Sequence, residues 1–294
     1  RVANRSATVV QGSATAIPFQ TGALESVLTD PPYYDAVPYA DLSDFFYVWL
    51  RRVLGSTYPD LFRTPLTPKA AEVVQLAGRN PRYAKKTKEF FEQELGKAFR
   101  EVQRALHPNG LAGIMFAHKT TTACEALVGA ILSSGLNVTS TWPIHTERPG
   151  RARANEAAAL ASSILLVCRP RKTAPQGLWD DVRQELKSLS QERLDSFWSQ
   201  GIRGADFFIS AIGPALSVFG KYERVTKRSG EEVSVGQFLD EVRGLVTNYA
   251  LERILHRPEA GATAVSPISG TAVSAVDPES RFYVVWKWSY GDAK

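Results

Sequence analysis

The chain has 294 residues, of which 44% are apolar and 22% charged, so it can bury a core and is not a disordered tail. It contains only Cys124 and Cys168, which excludes a disulfide scaffold and a four-cysteine zinc site. No apolar run reaches the roughly 18 residues that span a bilayer, and no signal peptide opens the chain. We therefore expect a soluble, cytoplasmic protein. Its only methionine is Met115, so we expect the chain to be part of a longer one.

The net charge of +5 is concentrated in two stretches. Residues 51–106 hold 12 Lys and Arg against 6 Asp and Glu, and residues 148–172 hold 6 against 1. A concentrated cationic surface favours a polyanionic partner, because Lys and Arg contacts to phosphates release counterions. The alternative is a solvated surface without a partner, and charge alone does not decide between the two.

Strand-like and helix-like patterns alternate over the first half of the chain, which is typical of an α/β domain with a doubly wound parallel sheet. Residues 7–11 and 24–29 are short β-branched runs. The second run stops at Asp30-Pro31-Pro32, because Pro-Pro cannot continue a ladder. The later elements are, in chain order, an amphipathic helix over 39–54, an irregular Pro-rich segment over 56–82, a helix over about 84–106, a strand over 111–117, a helix near 121–134, a strand over 137–144, a basic loop and a strand over 162–169.

A change in composition marks a boundary later in the chain. Pro, Lys and Gly cluster over 169–177, and we divide the chain there into an α/β domain at 1–172 and a mainly helical domain at 173–294.

The tetrapeptide Asp30-Pro31-Pro32-Tyr33 follows a predicted strand, and ligands of open α/β sheets bind outside the carboxyl ends of strands. Its chemistry suits methylation of an exocyclic amine, whose nitrogen shares its lone pair with the ring and is a poor nucleophile. The Asp30 carboxylate and a carbonyl of the Pro-Pro segment can accept both amine hydrogens and stabilise the growing positive charge. Tyr33 offers a face on which the base can stack. An ordinary turn is the alternative.

A second candidate segment lies upstream of the motif. Here a predicted strand ends in a loop of small residues, which includes Gly12, Ser13 and Ala14, and apolar residues that include Ile17 follow. We predict that these four residues contact the cofactor. The distance from the motif suits the cofactor loop of the neighbouring strand.

The chain contains the blocks GSATAIPF, TDPPYYDAVPYADLSDFFYVWLRR, FAHKTT, ASSILLVCR, GADFFISAIGPAL and DPESRFYVVWKW. Together they resemble the adenine-specific DNA methyltransferases that contain a Zn-ribbon, from about Thr8 to Asp292. The resemblance implies methyl transfer from S-adenosyl-L-methionine to N6 of a flipped-out adenine in DNA, on a Rossmann-like sheet. By position, Asp30, Pro31, Pro32 and Tyr33 match the catalytic motif, and the loop from Ser13 to Phe19 matches the cofactor loop.

The chain departs from this family in two respects. Methyltransferases of this class need a Gly-rich loop of the type Phe-x-Gly-x-Gly, which lets the cofactor approach the backbone, and none occurs in the 294 residues. The Zn-ribbon cysteines are also missing. We therefore expect the Rossmann-like sheet to be incomplete in this chain, and an upstream segment or a partner chain to supply the loop.

Two further sets of side chains are candidates for contacts to DNA. The first can shape the base pocket, or serve packing alone, and comprises Tyr34, Asp35 and Tyr39. The second is expected to be exposed and to contact phosphates, and comprises Lys85, Lys86, Lys88 and Arg151. The four histidines and two cysteines show no metal-binding spacing, so we predict no bound metal.

Two other functions stay open on the sequence. The Asp-Pro-Pro-Tyr motif does not choose its acceptor, so N4 of cytosine or an amine in RNA is an alternative to adenine. The absent Gly-rich loop permits a third function, a module that binds nucleic acid without catalysis.

Overall fold

The computed structural model describes residues 7–32, 34, 37–79, 81–116, 121–145, 162–173, 175–255 and 276–290. These residues form a four-stranded mixed sheet, a two-stranded parallel sheet and helices that pack around them. The predicted α/β class is therefore confirmed.

Most elements lie close to their predicted positions. The strands are β1 (Leu24–Thr29), β2 (Leu106–Phe116), β3 (Leu136–His145), β4 (Ser162–Pro170), β5 (Gln176–Leu178) and β6 (Arg224–Thr226). The α-helices are α1 (Tyr39–Leu54), α2 (Lys88–Ala105), α3 (Thr121–Ser133), α4 (Trp179–Ser199), α5 (Gly204–Phe219), α6 (Val235–Leu255) and α7 (Pro278–Tyr290), with a 3-10 turn at Pro81–Tyr83. Residues 7–11, predicted as a strand, join no sheet within the described chain.

The large sheet has the strand order β1-β2-β4-β3. β1 pairs with β2 in parallel, and β4 runs antiparallel to both β2 and β3. β1, β2 and β3 are therefore parallel to one another, with helices in the connections between them. Because parallel strands need such crossover connections, this part of the chain has the character of one half of a doubly wound sheet.

Helix α2 follows from a cap and an apolar stripe. The Thr87 hydroxyl accepts a hydrogen bond from the Phe90 N–H, with 3.3 Å between the atoms, and so satisfies one free donor of the first turn. Phe91, Leu95 and Phe99 follow at intervals of four residues, lie on one face and are almost fully buried. The helix therefore turns an apolar face to α3 and β2, with which it is in contact.

Helix α5 contains Pro214, which has no N–H to donate to the carbonyl of Ser210 one turn earlier. The buried Thr141 of β3 compensates for this. Its hydroxyl donates towards the carbonyls of Ile209 and Ser210, at 3.3 and 3.5 Å, and accepts the Gly213 N–H at 3.1 Å. Gly213 permits this approach, because a Cβ there would collide with the Thr141 hydroxyl oxygen.

A single hydrophobic cluster extends across the boundary that we placed between residues 172 and 173. It joins Phe91 and Ile114 of the sheet region to Phe207 and Phe238 of the later helices. The Arg171 guanidinium adds polar contacts, because it donates to the carbonyls of Gly220 and Leu132. The predicted boundary therefore does not separate two hydrophobic cores.

None of the helices within the described residues is long and apolar enough to cross a lipid bilayer.

Replacing Thr141 with Val should destabilise the fold by about 1–3 kcal/mol, because it leaves buried backbone groups of α5 without a partner. The matched control is Thr139→Val on the same strand, whose exposed hydroxyl bonds the Val167 carbonyl and should matter less. Urea unfolding followed by circular dichroism measures both changes. Equal losses in the two variants would contradict a special role of the Thr141 hydroxyl.

Candidate active site

The Asp-Pro-Pro-Tyr motif begins where β1 ends. Thr29 is the last residue of the strand, Asp30 is exposed, and Pro31 is buried. Asp30 therefore lies at the carboxyl edge of two parallel strands, where open α/β sheets bind ligands. Its carboxylate has no hydrogen-bond or ion-pair partner within the described part of the chain, so it is available to accept hydrogen bonds from a ligand. Tyr33 lies outside the described residues.

Tyr34 has a strained backbone, with a φ angle of 24°. This is a conformation that residues with a side chain seldom adopt, and such strain occurs often at functional sites. The Gln75 N–H donates to the Tyr34 carbonyl over 2.9 Å, and the Tyr34 ring meets Phe91 edge-on at 5.2 Å between centroids. The motif is thus followed directly by a residue fixed by two distant parts of the chain.

The other residues predicted to shape the base pocket are only partly located. Tyr39 is the first residue of α1, and its side chain is exposed. Asp35 lies outside the described residues. The role of Tyr34 and Tyr39 in binding a base therefore stays a prediction.

The predicted cofactor loop forms a short turn. The Ala16 N–H donates to the Ser13 carbonyl over 3.0 Å, and the turn residues Gly12, Ser13 and Ala14 are exposed. Their contact with a cofactor stays a prediction.

Ile17 lies apart from the motif. Its N–H donates to a Glu101 carboxylate oxygen and its carbonyl accepts from Arg104, at 3.1 and 3.0 Å. Both partners belong to the end of α2, which leads into the start of β2, and that start pairs with the first residue of β1. Ile17 is thus attached to the end of α2, and its contact with a cofactor stays a prediction.

Lys86 corrects the prediction of an exposed phosphate-contacting run. Its side chain is 6% exposed, and its ammonium donates to the carbonyls of Ala70, at 2.7 Å, and Glu72. Phe90 covers it, with the nitrogen 4.5 Å from the ring centroid. Burial lowers the pKa of Lys86. A lysine enclosed in this way cannot reach a DNA phosphate.

The neighbouring cations are placed differently. Lys85 is exposed, and Lys88 opens α2 with its ammonium 3.7 Å from the Glu92 carboxylate. These two residues remain candidates for phosphate contacts. Arg151 lies outside the described residues.

Helix α1 turns its polar side towards the protein. Tyr47 donates to the Thr64 carbonyl at 2.8 Å, and the Tyr83 hydroxyl donates to Asp41. Asp44 accepts from the Thr67 hydroxyl at 2.5 Å and from the Lys69 ammonium at 2.7 Å. The apolar stripe on the other side is exposed and comprises Tyr39, Leu42, Phe45, Phe46, Trp49, Leu50 and Val53. The predicted helix is confirmed, but its hydrophobic side is not buried.

The sequence interpretation missed the residues that support the motif from a distance. Gln75 and the buried Lys86 both lie in or beside the irregular segment over 56–82, where no periodic pattern marks burial. The apolar residues Val74, Leu76 and Tyr83, which form a small cluster of their own, were the available signal.

Within the described residues, no group of three or more His, Cys, Asp or Glu side chains could hold a metal ion.

No protein-family model matches the chain, and no curated protein matches its sequence. Among solved structures, it is similar to a proposed DNA modification methylase from Thermus thermophilus, at 16% identity and a TM-score of 0.31, over 62% of this chain and 63% of that one. The same Thermus protein complexed with S-adenosyl-L-methionine matches at 17% identity and a TM-score of 0.31, over 62% and 64%. The chain thus spans less than two thirds of these structures.

Acid should weaken the attachment of α1 through Asp44. Hydrogen bonds from Lys69 and Thr67 hold the pKa of Asp44 at about 2, below its ordinary 3.8. A carboxyl with a lowered pKa stabilises the fold above its unfolded pKa, and this contribution disappears as the pH falls through the folded value. Asp44→Asn should therefore be less stable than the wild type at neutral pH, and the difference should shrink as the pH falls from about 4 towards 2.

Urea midpoints of the two proteins over that pH range measure this difference. Asp60→Asn is the matched control, because Asp60 pairs with Arg63 at the surface and both side chains are more than 70% exposed. A difference between wild type and Asp44→Asn that is independent of pH would exclude the carboxylate's charge as its cause.

Proposed function

We propose that the chain carries the acceptor half of an S-adenosyl-L-methionine-dependent DNA methyltransferase that modifies N6 of adenine. The observation that carries this proposal is the place of Asp30-Pro31-Pro32 at the carboxyl end of a parallel strand, with the Asp30 carboxylate unpaired within the described chain. The sequence blocks shared with adenine-specific DNA methyltransferases support the same function.

The proposed chemistry needs acceptors more than a strong base. When bound, the cofactor would supply an activated methyl group: the carbon–nitrogen bond would form as the carbon–sulfur bond breaks, a neutral thioether would leave, and the methylated nitrogen would then lose one proton to solvent. Asp30 and a carbonyl of the Pro-Pro segment accept the amine hydrogens, hold the nitrogen in a pyramidal form and stabilise its growing positive charge. Because Pro31 is buried and its φ is restricted, these acceptors need little reorganisation during the reaction.

The residues present fit the acceptor side of this reaction better than the cofactor side. No Phe-x-Gly-x-Gly loop occurs in the sequence, and the Ile17 N–H already donates to the Glu101 carboxylate. Gly12, Ser13 and Ala14 are exposed and remain the cofactor candidates. We therefore propose that an upstream segment or a partner chain supplies the Gly-rich loop.

The outer edge of β1 is the place where we propose that this segment joins. Within the described residues β1 pairs only with β2, and none of its six side chains is fully buried. Parallel sheets are usually covered on both faces, so a parallel strand with exposed side chains and an unpaired edge suits the addition of a further segment. A doubly wound sheet has the strand order 3-2-1-4-5-6, and strand 4, which opens its second half, pairs with strand 1 of the first half. We propose that β1 takes the position of strand 4, so that its free edge would pair with the first strand of the nucleotide-binding half.

Asp30→Ala should lower methyl transfer by about 100- to 1000-fold without changing the fold, because one preorganised electrostatic partner of the transition state is lost. Asp60→Ala, which removes an exposed aspartate outside the motif, should keep the wild-type rate. Transfer of tritium from labelled S-adenosyl-L-methionine to DNA measures the rate in a preparation that binds the cofactor.

An Asp30→Ala variant that keeps more than about a tenth of the activity would contradict the role of the carboxylate. Digestion of the methylated DNA to nucleosides separates N6-methyladenine from N4-methylcytosine, and so decides the acceptor base. The same assay with RNA tests the other alternative.

The chain by itself should bind S-adenosyl-L-methionine weakly, because the loop for the cofactor's amino-acid end is missing from its sequence. Isothermal titration calorimetry of the 294-residue chain is the measurement. Micromolar binding would mean that these residues already form the whole pocket, and the proposed contribution of an upstream segment or partner chain would then be wrong.

A further inference from the structure

The carbonyl of Tyr34 is fixed by an extended segment far away in the sequence. Its partner is the Gln75 N–H, at 2.9 Å. On either side of Gln75, Val74 and Leu76 are 1% and 2% exposed, so this segment is packed in place. Because the backbone of Tyr34 is strained, it depends on such external contacts to keep its conformation.

The segment around Gln75 is in turn held by Lys86. The N–H groups of Leu76 and Ala77 both donate to the Lys86 carbonyl, at 2.9 and 3.1 Å. The Lys86 ammonium reaches the other end of the same segment, where it donates to the carbonyls of Ala70 and Glu72. One residue thus binds the segment at both ends, through its backbone and its side chain.

Glu72 extends the connection to α1. One of its carboxylate oxygens accepts the Ala40 N–H at 3.0 Å, at the first turn of the helix. This N–H is one of the donors that a helix cannot satisfy internally. The chain that follows the motif is therefore attached to the segment over 70–77 at two points, Tyr34 and Ala40.

We infer that Lys86 is a positioning residue for Asp30-Pro31-Pro32, the described part of the motif. It acts through the segment over 70–77, which holds the Tyr34 carbonyl and the start of α1 and thereby keeps the motif's acceptor oxygens in place. The catalytic consequence of this inference rests on the proposed function. The connection from Lys86 through residues 70–77 to Tyr34 and α1 rests on the hydrogen bonds alone.

The chemistry of a buried ammonium suits this task. Two carbonyls and the face of Phe90 surround it, which are groups that stabilise a cation without neutralising it. Burial lowers the pKa of Lys86, while the charges of Glu72 and Glu94 oppose that shift. A residue that only supplied charge for DNA would have no reason to be enclosed.

The test compares Lys86→Met with Lys97→Met. Methionine has a similar length but no donor, so it should release the Ala70 and Glu72 carbonyls. Lys97 lies on the exposed side of α2 and pairs only with Glu94 among the described residues, so its replacement should change nothing measured here. Hydrogen exchange of the backbone amides, measured on the 294-residue chain without cofactor or DNA, reports the segment directly.

Lys86→Met should accelerate exchange over residues 72–77 and leave exchange in β2 and α3 unchanged. In a preparation that transfers methyl groups, it should lower kcat by about 100-fold, the loss expected for misplacing reacting groups by about 1 Å. Its KM for DNA and the salt dependence of DNA binding should equal those of the wild type.

Unchanged hydrogen exchange over 72–77 in Lys86→Met would overturn the inference. A wild-type kcat combined with a weaker salt dependence of DNA binding would also overturn it, because that result would assign Lys86 to a phosphate contact. If the wild type transfers no methyl group while the exchange result is as expected, the proposed function fails and the connection through Lys86 is retained. If Lys86→Met does not unfold cooperatively, Lys86→Gln replaces it, because the glutamine amide keeps N–H donors without the charge. Lys86→Gln should show smaller changes in the same direction, and wild-type exchange in that variant would count against the inference.

Discussion

The burial of one face of α2 is the contact on which the candidate site depends. Phe91, Leu95 and Phe99 place this helix against α3 and β2, and Phe91 is also the surface on which Tyr34 packs. At its other end, the helix carries Glu101 and Arg104, which hold Ile17 just before β1 begins. The residues before and after β1 are thus attached to the same helix, so the position of the motif follows from how α2 packs.

The end of β1 could be predicted because the rule that sets it is local. Proline has no N–H and its ring restricts the preceding residue, so a strand must stop before Pro31-Pro32 wherever the chain lies. The same holds for α2, whose apolar residues recur at helical spacing and whose cap is a threonine. Sequence reasoning therefore located the motif at the carboxyl edge of the sheet.

The burial of Lys86 could not be predicted, because it depends on a contact with carbonyls 14 and 16 residues away in an irregular segment. In the sequence it is one of several adjacent cations, and such a run is usually solvated. The contacts of Ile17 could not be predicted for a related reason, because its partners Glu101 and Arg104 lie more than 80 residues away in the sequence.

The orientation of α1 reverses the usual pattern of mutational tolerance in an amphipathic helix. Its polar side chains Asp44 and Tyr47 make the contacts that attach it, so conservative polar replacements there remove hydrogen bonds. Phe45 and Trp49 are 68% and 57% exposed, so charged residues in their place cost this fold little buried surface. A solubility-driven redesign of the chain would therefore change Phe45 and Trp49 and keep Asp44 and Tyr47.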